Sequence, residues 1–313
     1  MILLIDSGNS RLKVGWWNPP STANGTSRDD RTSATHADTT PESAPSSGTV
    51  PDDGSPGPTA VNTAPTDFLG REPAAVAFDN LDPHALGDWL DTLTHKPTLA
   101  LGVNVAGPER GEGIREALAR HHCPVHWITS RAQLLHLRNN YTQPAQLGAD
   151  RLVALLGVRS RLPAAHPPFV LASFGTATTI DTVGPDDTFI GGLIFPGPAL
   201  MRSSLARGTA NLPLAEGSVT DFPTDTHQAI ASGIVAAQAG AVVRQWLAAS
   251  QHYGQPATLY VAGGSWPQVE HEMQRLLTQT GSTMNAAPTP CYLDRPVLDG
   301  LALLAAQPDP QSL

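Results

Sequence analysis

Cysteine is scarce in this chain: there are two among 313 residues, Cys123 and Cys291. With no CxxC spacing, a disulfide framework is excluded and both thiols read as packing residues. Long apolar runs are also missing. No stretch reaches the about eighteen continuous apolar residues of a membrane span. The leading MILLIDSGNS has no basic n-region and is interrupted by Asp6, so the expectation is a cytoplasmic protein with no membrane partner. Positive charge is in deficit: 19 Lys and Arg face 28 Asp and Glu, a formal net charge of −9. A mildly acidic body with no basic stripe excludes nucleic acid as a general partner.

One segment lacks almost everything a core needs. Between Pro19 and Asp67 there is no aromatic residue and no Leu, Ile or Met, while Pro, Ser, Thr, Gly and Asp dominate. Such a stretch cannot bury enough apolar area to offset its ordering entropy, so 19–67 reads as a disordered insert.

What remains alternates strands and helices. Ile2 to Ile5 is a continuous apolar run, as in a strand buried on both faces. Ser7-Gly8-Asn9-Ser10 is turn chemistry, and Leu12, Val14 and Trp16 then alternate with polar or small residues. The same ribbon recurs mid-chain: Phe169 to Ala172 is apolar, Ser173-Phe174-Gly175-Thr176 turns, and Thr178 to Val183 resumes as a strand. Aligning the glycines sets Asp6 over Ser173 and Asn9 over Thr176. Two related halves follow, with a Pro- and Ala-rich seam at Pro163 to Pro168. Leu152, Leu155, Leu156 and Arg159 have helical spacing, which puts Asp150 and Arg151 in a first turn. Thr226 to Ala249 reads as a long buried helix, Thr258 to Ala262 as a strand ending at Gly263-Gly264, and Leu298 to Ala306 as a short helix. The class is α/β.

The polar residues at these strand and helix ends suit phosphoryl transfer. Asp6 closes a buried strand before a glycine turn and Lys13. Its carboxylate can hold Mg²⁺, directly or through water, while Gly8 admits phosphate oxygens and Lys13 adds charge. The spacing is not that of a Walker A loop, and a plain hairpin turn is the alternative. Gly175-Thr176-Ala177 can offer a hydroxyl and backbone donors from the other side. Asp150 can accept a hydroxyl proton and Arg151 can hold a carboxylate, or the two can be a helix N-terminal acid and a solvated charge. His121-His122-Cys123 with His126 fits no structural zinc spacing.

Together these pieces resemble the type III pantothenate kinases, one branch of which has been called the Bvg accessory factor family, within the acetate and sugar kinase/Hsp70/actin superfamily. DxGNxxxK stands as Asp6 to Lys13, GxDR as Gly148 to Arg151, and the second phosphate turn as Gly175-Thr176-Ala177. GGxIxPG stands as Gly191 to Gly197, TAxLP as Thr209 to Pro213, and NTxxAxxSG as Asp225 to Gly233, with Asp225 in place of the asparagine. The resemblance implies two related ribonuclease H-like domains flanking a nucleotide cleft, the actin-like ATPase fold, here 1–162 and 163–313. It implies a homodimer that phosphorylates pantothenate with ATP and Mg²⁺ at the first step of coenzyme A synthesis. Asp150 would be the proton acceptor. Asp6, Ser7, Gly8, Asn9, Ser10, Arg11, Leu12, Lys13 and Thr176 would hold ATP, with Asp6 toward the metal. Tyr141, Gly148, Ala149, Asp150, Arg151 and Thr226 would contact pantothenate, and Gly263-Gly264 would lie on the adenosine side. Ser173 stands where many relatives have an aspartate for an activating K⁺ or NH₄⁺, which puts that cation in doubt. The rival readings are a kinase of another small alcohol and a non-catalytic regulatory protein that keeps the fold.

Overall fold

The computed structural model describes residues 1–19, 71–80, 82, 84–284 and 288–312; the expected disordered insert, apart from Pro19, lies outside them. In the first half, β1 (Ile2–Ser7), β2 (Arg11–Trp17), β3 (Val76–Asp79), α1 (Ala85–Thr92), β4 (Leu99–Asn104), α2 (Pro108–Ala119) and β5 (Val125–Trp127) follow in order. The short β6 (Gln133–Leu134) and β7 (Leu137–Asn139) lead to α3 (Ala149–Arg159). The second half contains β8 (Phe169–Phe174), β9 (Ala177–Val183), β10 (Thr188–Pro196), α4 (Pro198–Gly208), α5 (Thr226–Tyr253), β11 (Thr258–Ala262), α6 (Trp266–Met284), β12 (Cys291–Leu293) and α7 (Pro296–Ala305). Among the described residues no helix is long and apolar enough to cross a membrane.

The strands form two sheets, ordered β3-β2-β1-β4-β5 and β12-β11-β8-β9-β10-β7-β6. Five strands of the second sheet repeat the first. β8 matches β1, β9 matches β2, β10 matches β3, β11 matches β4 and β12 matches β5. The senses agree as well: the first three strands of each repeat are antiparallel, and the last two join in parallel. The α/β class and the two related halves read from the sequence are therefore present, and the repeat is longer than the hairpin that revealed it.

Alternation along the strands builds the layers. Leu3 and Ile5 face α1 and α2 in one core cluster, while Leu4 faces the opposite way. Val170, Ala172 and Phe174 pack with α5 and α6, while Phe169 and Leu171 face the centre. Helices α3 and α7 fill that centre, so the order is helices, sheet, helices, sheet, helices. A strand covered on both faces must be apolar on both, which explains the unbroken runs of β1 and β8. The two central helices approach at their backbones: a Cβ on Gly157 would strike the Pro296 carbonyl oxygen, and one on Gly300 that of Val153.

Some elements cross the expected boundary at 162/163. β7 lies before it yet pairs with β10, and α7 lies after it yet packs on β1, β2 and β4. Asp299 of α7 is ion-paired with Arg71 at 2.7 Å and Arg161 at 2.6 Å, and Arg71 and Asp299 are each 1% exposed. Arg71 also bridges Trp17, and Glu72 N–H donates to the Trp16 carbonyl at 3.1 Å. The chain thus leaves and re-enters the insert at adjacent points of one ladder.

Candidate active site

The repeated hairpins carry the two turns side by side. Gly8-Asn9-Ser10 joins β1 to β2, and Gly175-Thr176 joins β8 to β9; Ser7 and Phe174 before the turns are buried, and the turns are largely exposed. The Ser10 and Thr176 hydroxyls are 2.8 Å apart, a hydrogen bond between turns 166 residues apart. Gly8 N–H donates to Arg11 O, and Gly175 N–H to Ala177 O, both at 3.1 Å, which closes each turn from within.

Only the first ribbon carries a charged pair beside its turn. Asp6 and Lys13 are cross-strand partners, and Lys13 Nζ lies 2.9 Å from Asp6 Oδ2. The equivalent pair in the second ribbon is Ser173 opposite Thr179. Asp6 is 6% exposed, whereas the Lys13 side chain is half-exposed. Leu12 packs into the core, so only its backbone is available to a ligand. Arg11 is exposed and pairs in register with Asp79. Buried Asn80 braces this turn from behind, its Nδ2 donating to Gly8 O at 2.5 Å and Ser7 Oγ at 3.3 Å. The second turn is braced by Gly197 N–H, which donates to Thr176 O at 2.9 Å. Gly263, at φ +99°, lies against the Phe174 backbone, beside that same turn.

Helix α3 supplies the second group. Gly148 is its N-cap, and Asp150 Oδ1 accepts from Arg151 N–H at 2.8 Å. Burial lifts the Asp150 carboxyl above its ordinary range; that hydrogen bond opposes the rise and the charge of Asp6 adds to it. Arg151 is 6% exposed and points at β9. Its Nε donates to Asp181 Oδ2 at 3.2 Å, its Nη2 to Asp181 Oδ1, and its Nη1 to Tyr141 Oη at 3.3 Å. The guanidinium carbon is 6.0 Å from the Tyr141 ring centre and 5.8 Å from that of Phe189.

Thr226 lies elsewhere. It opens α5, which Asp225 caps by accepting from Gln228 N–H at 2.9 Å. With Pro196, Met201, Leu205 and Ile230 it lines a largely apolar cavity of about 510 Å³ between α4 and α5. The sequence reading missed Asp181 and Asn80. The signal for Asp181 was an acid inside a strand otherwise built of Thr, Ile and Val.

A divalent cation fits this set. The Asp6 carboxylate ends β1 beside Lys13 and the glycine turn, and Mg²⁺ commonly takes one or two carboxylates with phosphate and water oxygens. Asp6 is placed to hold it, directly or through water.

The family model for type III pantothenate kinase matches residues 73–248. The type III pantothenate kinase of Bordetella petrii is 69% identical to this chain over 313 residues, all of both proteins. That of Bordetella pertussis is 53% identical over 99% of each, and that of a Polaromonas species 37% identical over 61% of this chain and 75% of its own.

Proposed function

Because the chain belongs to the type III pantothenate kinase family, we infer that it transfers the γ-phosphoryl group of ATP to the primary hydroxyl of pantothenate. The product, 4′-phosphopantothenate, enters coenzyme A synthesis. The observation that carries this reading is the pair of exposed phosphate-type turns at the ends of the repeated hairpins, joined by the Ser10–Thr176 hydrogen bond.

In this reading Asp6 to Lys13 and Thr176 hold the nucleotide, with Leu12 acting through its backbone. Lys13 sets a positive charge beside the transferred group, and Gly8 and Gly175 let the backbone approach phosphate oxygens. Mg²⁺, when bound through Asp6, neutralises charge on the β- and γ-phosphates. Asp150 orients the attacking hydroxyl and takes its proton. A carboxyl raised by burial is a better acceptor than a solvated one, whose pKa is about 3.9. Tyr141, Gly148, Ala149 and Arg151 bind pantothenate, with Arg151 toward its carboxylate. Thr226, which lines the α4–α5 cavity, completes the pantothenate set in this reading. Ser173 offers a hydroxyl without the charge that helps hold K⁺ or NH₄⁺, which puts a requirement for that cation in doubt. The reading includes a cytoplasmic homodimer, supported by exposed Ile194, Leu214 and Phe222. It also includes two functional halves dividing near 162/163, supported by the repeated strand order.

The test is ADP release from Mg·ATP with and without pantothenate, in sodium buffer and again with potassium or ammonium. Pantothenate-dependent turnover is expected, and the salt comparison shows whether a cation requirement remains. No turnover in any salt, from folded protein that binds ATP, would sink the kinase reading and bring forward a regulatory one.

A further inference from the structure

Asp181 is 1% exposed and sits on β9, on the face it shares with Thr179 and Val183. A carboxylate so deep is costly unless it is paired, and its partner is Arg151. The contact uses one particular edge of the guanidinium. Nε and Nη2 point at the two carboxylate oxygens, so the side edge of the fork is occupied from within the protein. What remains is the end edge, where Nη1 lies beside Tyr141.

The hydrogen count at Tyr141 completes the argument. Nη1 has only protons to give, so Tyr141 Oη is the acceptor in that bond, and the phenol proton is left to point elsewhere. Tyr141 is partly exposed. An Arg–Tyr pair wedged against the Phe189 ring, 5.2 Å from Tyr141, has its orientation fixed before any ligand arrives. Room for the Asp181–Arg151 contact depends on Gly192 of the neighbouring strand. A Cβ there would lie 2.8 Å from Arg151 Nη2 and closer still to Asp181 Oδ1.

We propose that Asp181 is a positioning residue for acid recognition: it takes the side edge of Arg151, so that Arg151 Nη1 and the Tyr141 hydroxyl together present two donors to the substrate's carboxylate. The substrate acid is gripped at one end of the guanidinium and by a phenol, not by the side-on fork. This rests on the pantothenate kinase reading and adds a specificity determinant to it. Asp181 touches neither the nucleotide turns nor the reacting hydroxyl in this scheme, so its effect belongs to binding of the acid end of the substrate.

The experiment compares pantothenate with pantothenol, in which CH₂OH replaces the carboxylate, as substrates or as competitive inhibitors. Asp181→Asn keeps the shape of the side chain and removes its charge. Its KM for pantothenate is expected to rise tenfold or more with kcat reduced much less, the KM for ATP unchanged, and pantothenol affinity unchanged within about twofold. Tyr141→Phe is expected to show the same selective loss. An unchanged pantothenate KM in folded Asp181→Asn, or equal losses for the acid and the alcohol, overturns the proposal. If Asp181→Asn fails to fold, Tyr141→Phe decides by the same criterion. Wild-type turnover with pantothenate, measured alongside, separates failure of this proposal from failure of the kinase reading.

Discussion

Burial, and after it the charge of Asp6, disfavour the ionised form of the Asp150 carboxyl. Removing that charge has two opposite consequences. Asp150→Asn keeps an oxygen for the Arg151 N–H but cannot take a proton, so turnover should fall about 10²- to 10⁴-fold. The same variant should melt at a higher temperature than wild type at pH 7 to 8. The sign follows from linkage: a folded-state carboxyl raised above its unfolded value costs stability above the folded pKa, and the cost disappears below the unfolded one. The gain in melting temperature should therefore shrink as pH falls through the folded pKa toward about 4; a gain constant down to pH 3 would contradict the assignment. Residues of this kind were legible in the sequence because each ends a strand or opens a helix beside a glycine. Asp181 and Asn80 were not, since their partners lie 30 and 72 to 73 positions away: an acid inside the β9 run marks Asp181 as unusual but does not name its partner, and nothing local marks Asn80. Cys123 was read correctly as a packing thiol: it is 1% exposed, and burial pushes it up to about 11.

Among elements, strands covered on both faces were the easiest to read, because nothing but a buried position explains a run such as Ile2 to Ile5. The helices α3, α5 and α7 and the strand β11 also fall where periodicity and turn residues put them. The pairing of β7 with β10 was not readable: β6 and β7 are two and three residues long, too short to carry a pattern. The insert between β2 and β3 yields a prediction of its own. Its ends meet in an antiparallel bridge, Trp17 to Arg71, so a short Gly-Ser turn can replace residues 20–69 without moving either strand. Roughly tenfold shortening of a loop removes about 2 kcal/mol of closure entropy. The deletion protein should fold, melt no lower than wild type, and keep ADP release within about threefold. A large loss of turnover in a folded deletion protein would show that the insert takes part in the reaction.

At the level of the whole molecule the two halves are held by shared parts. Helices α3 and α7 form one layer between the sheets, and the Arg71–Asp299–Arg161 cluster ties the last helix to the edge of the first sheet. Breaking a buried ion pair from one side costs about 3–5 kcal/mol. Asp299→Asn, which leaves two guanidinium groups around an uncharged amide, should lower the urea-unfolding free energy by that much; a change below about 1 kcal/mol would mean that water or other groups compensate. The sequence showed the duplication through one hairpin and its glycines. It did not show that the halves exchange elements, because a helix of Leu and Ala carries no label for the sheet it will cover.

That exchange has a consequence for biosynthesis. The centre-facing side of β1, β2 and β4 is complete by residue 104, but α7, which covers it, begins only at Pro296. At about 5–20 residues per second, a ribosome needs roughly 10 to 40 s to bridge that gap. For that interval the nascent first sheet presents an apolar surface of which α3 can cover only part, the rest of its lid being still untranslated.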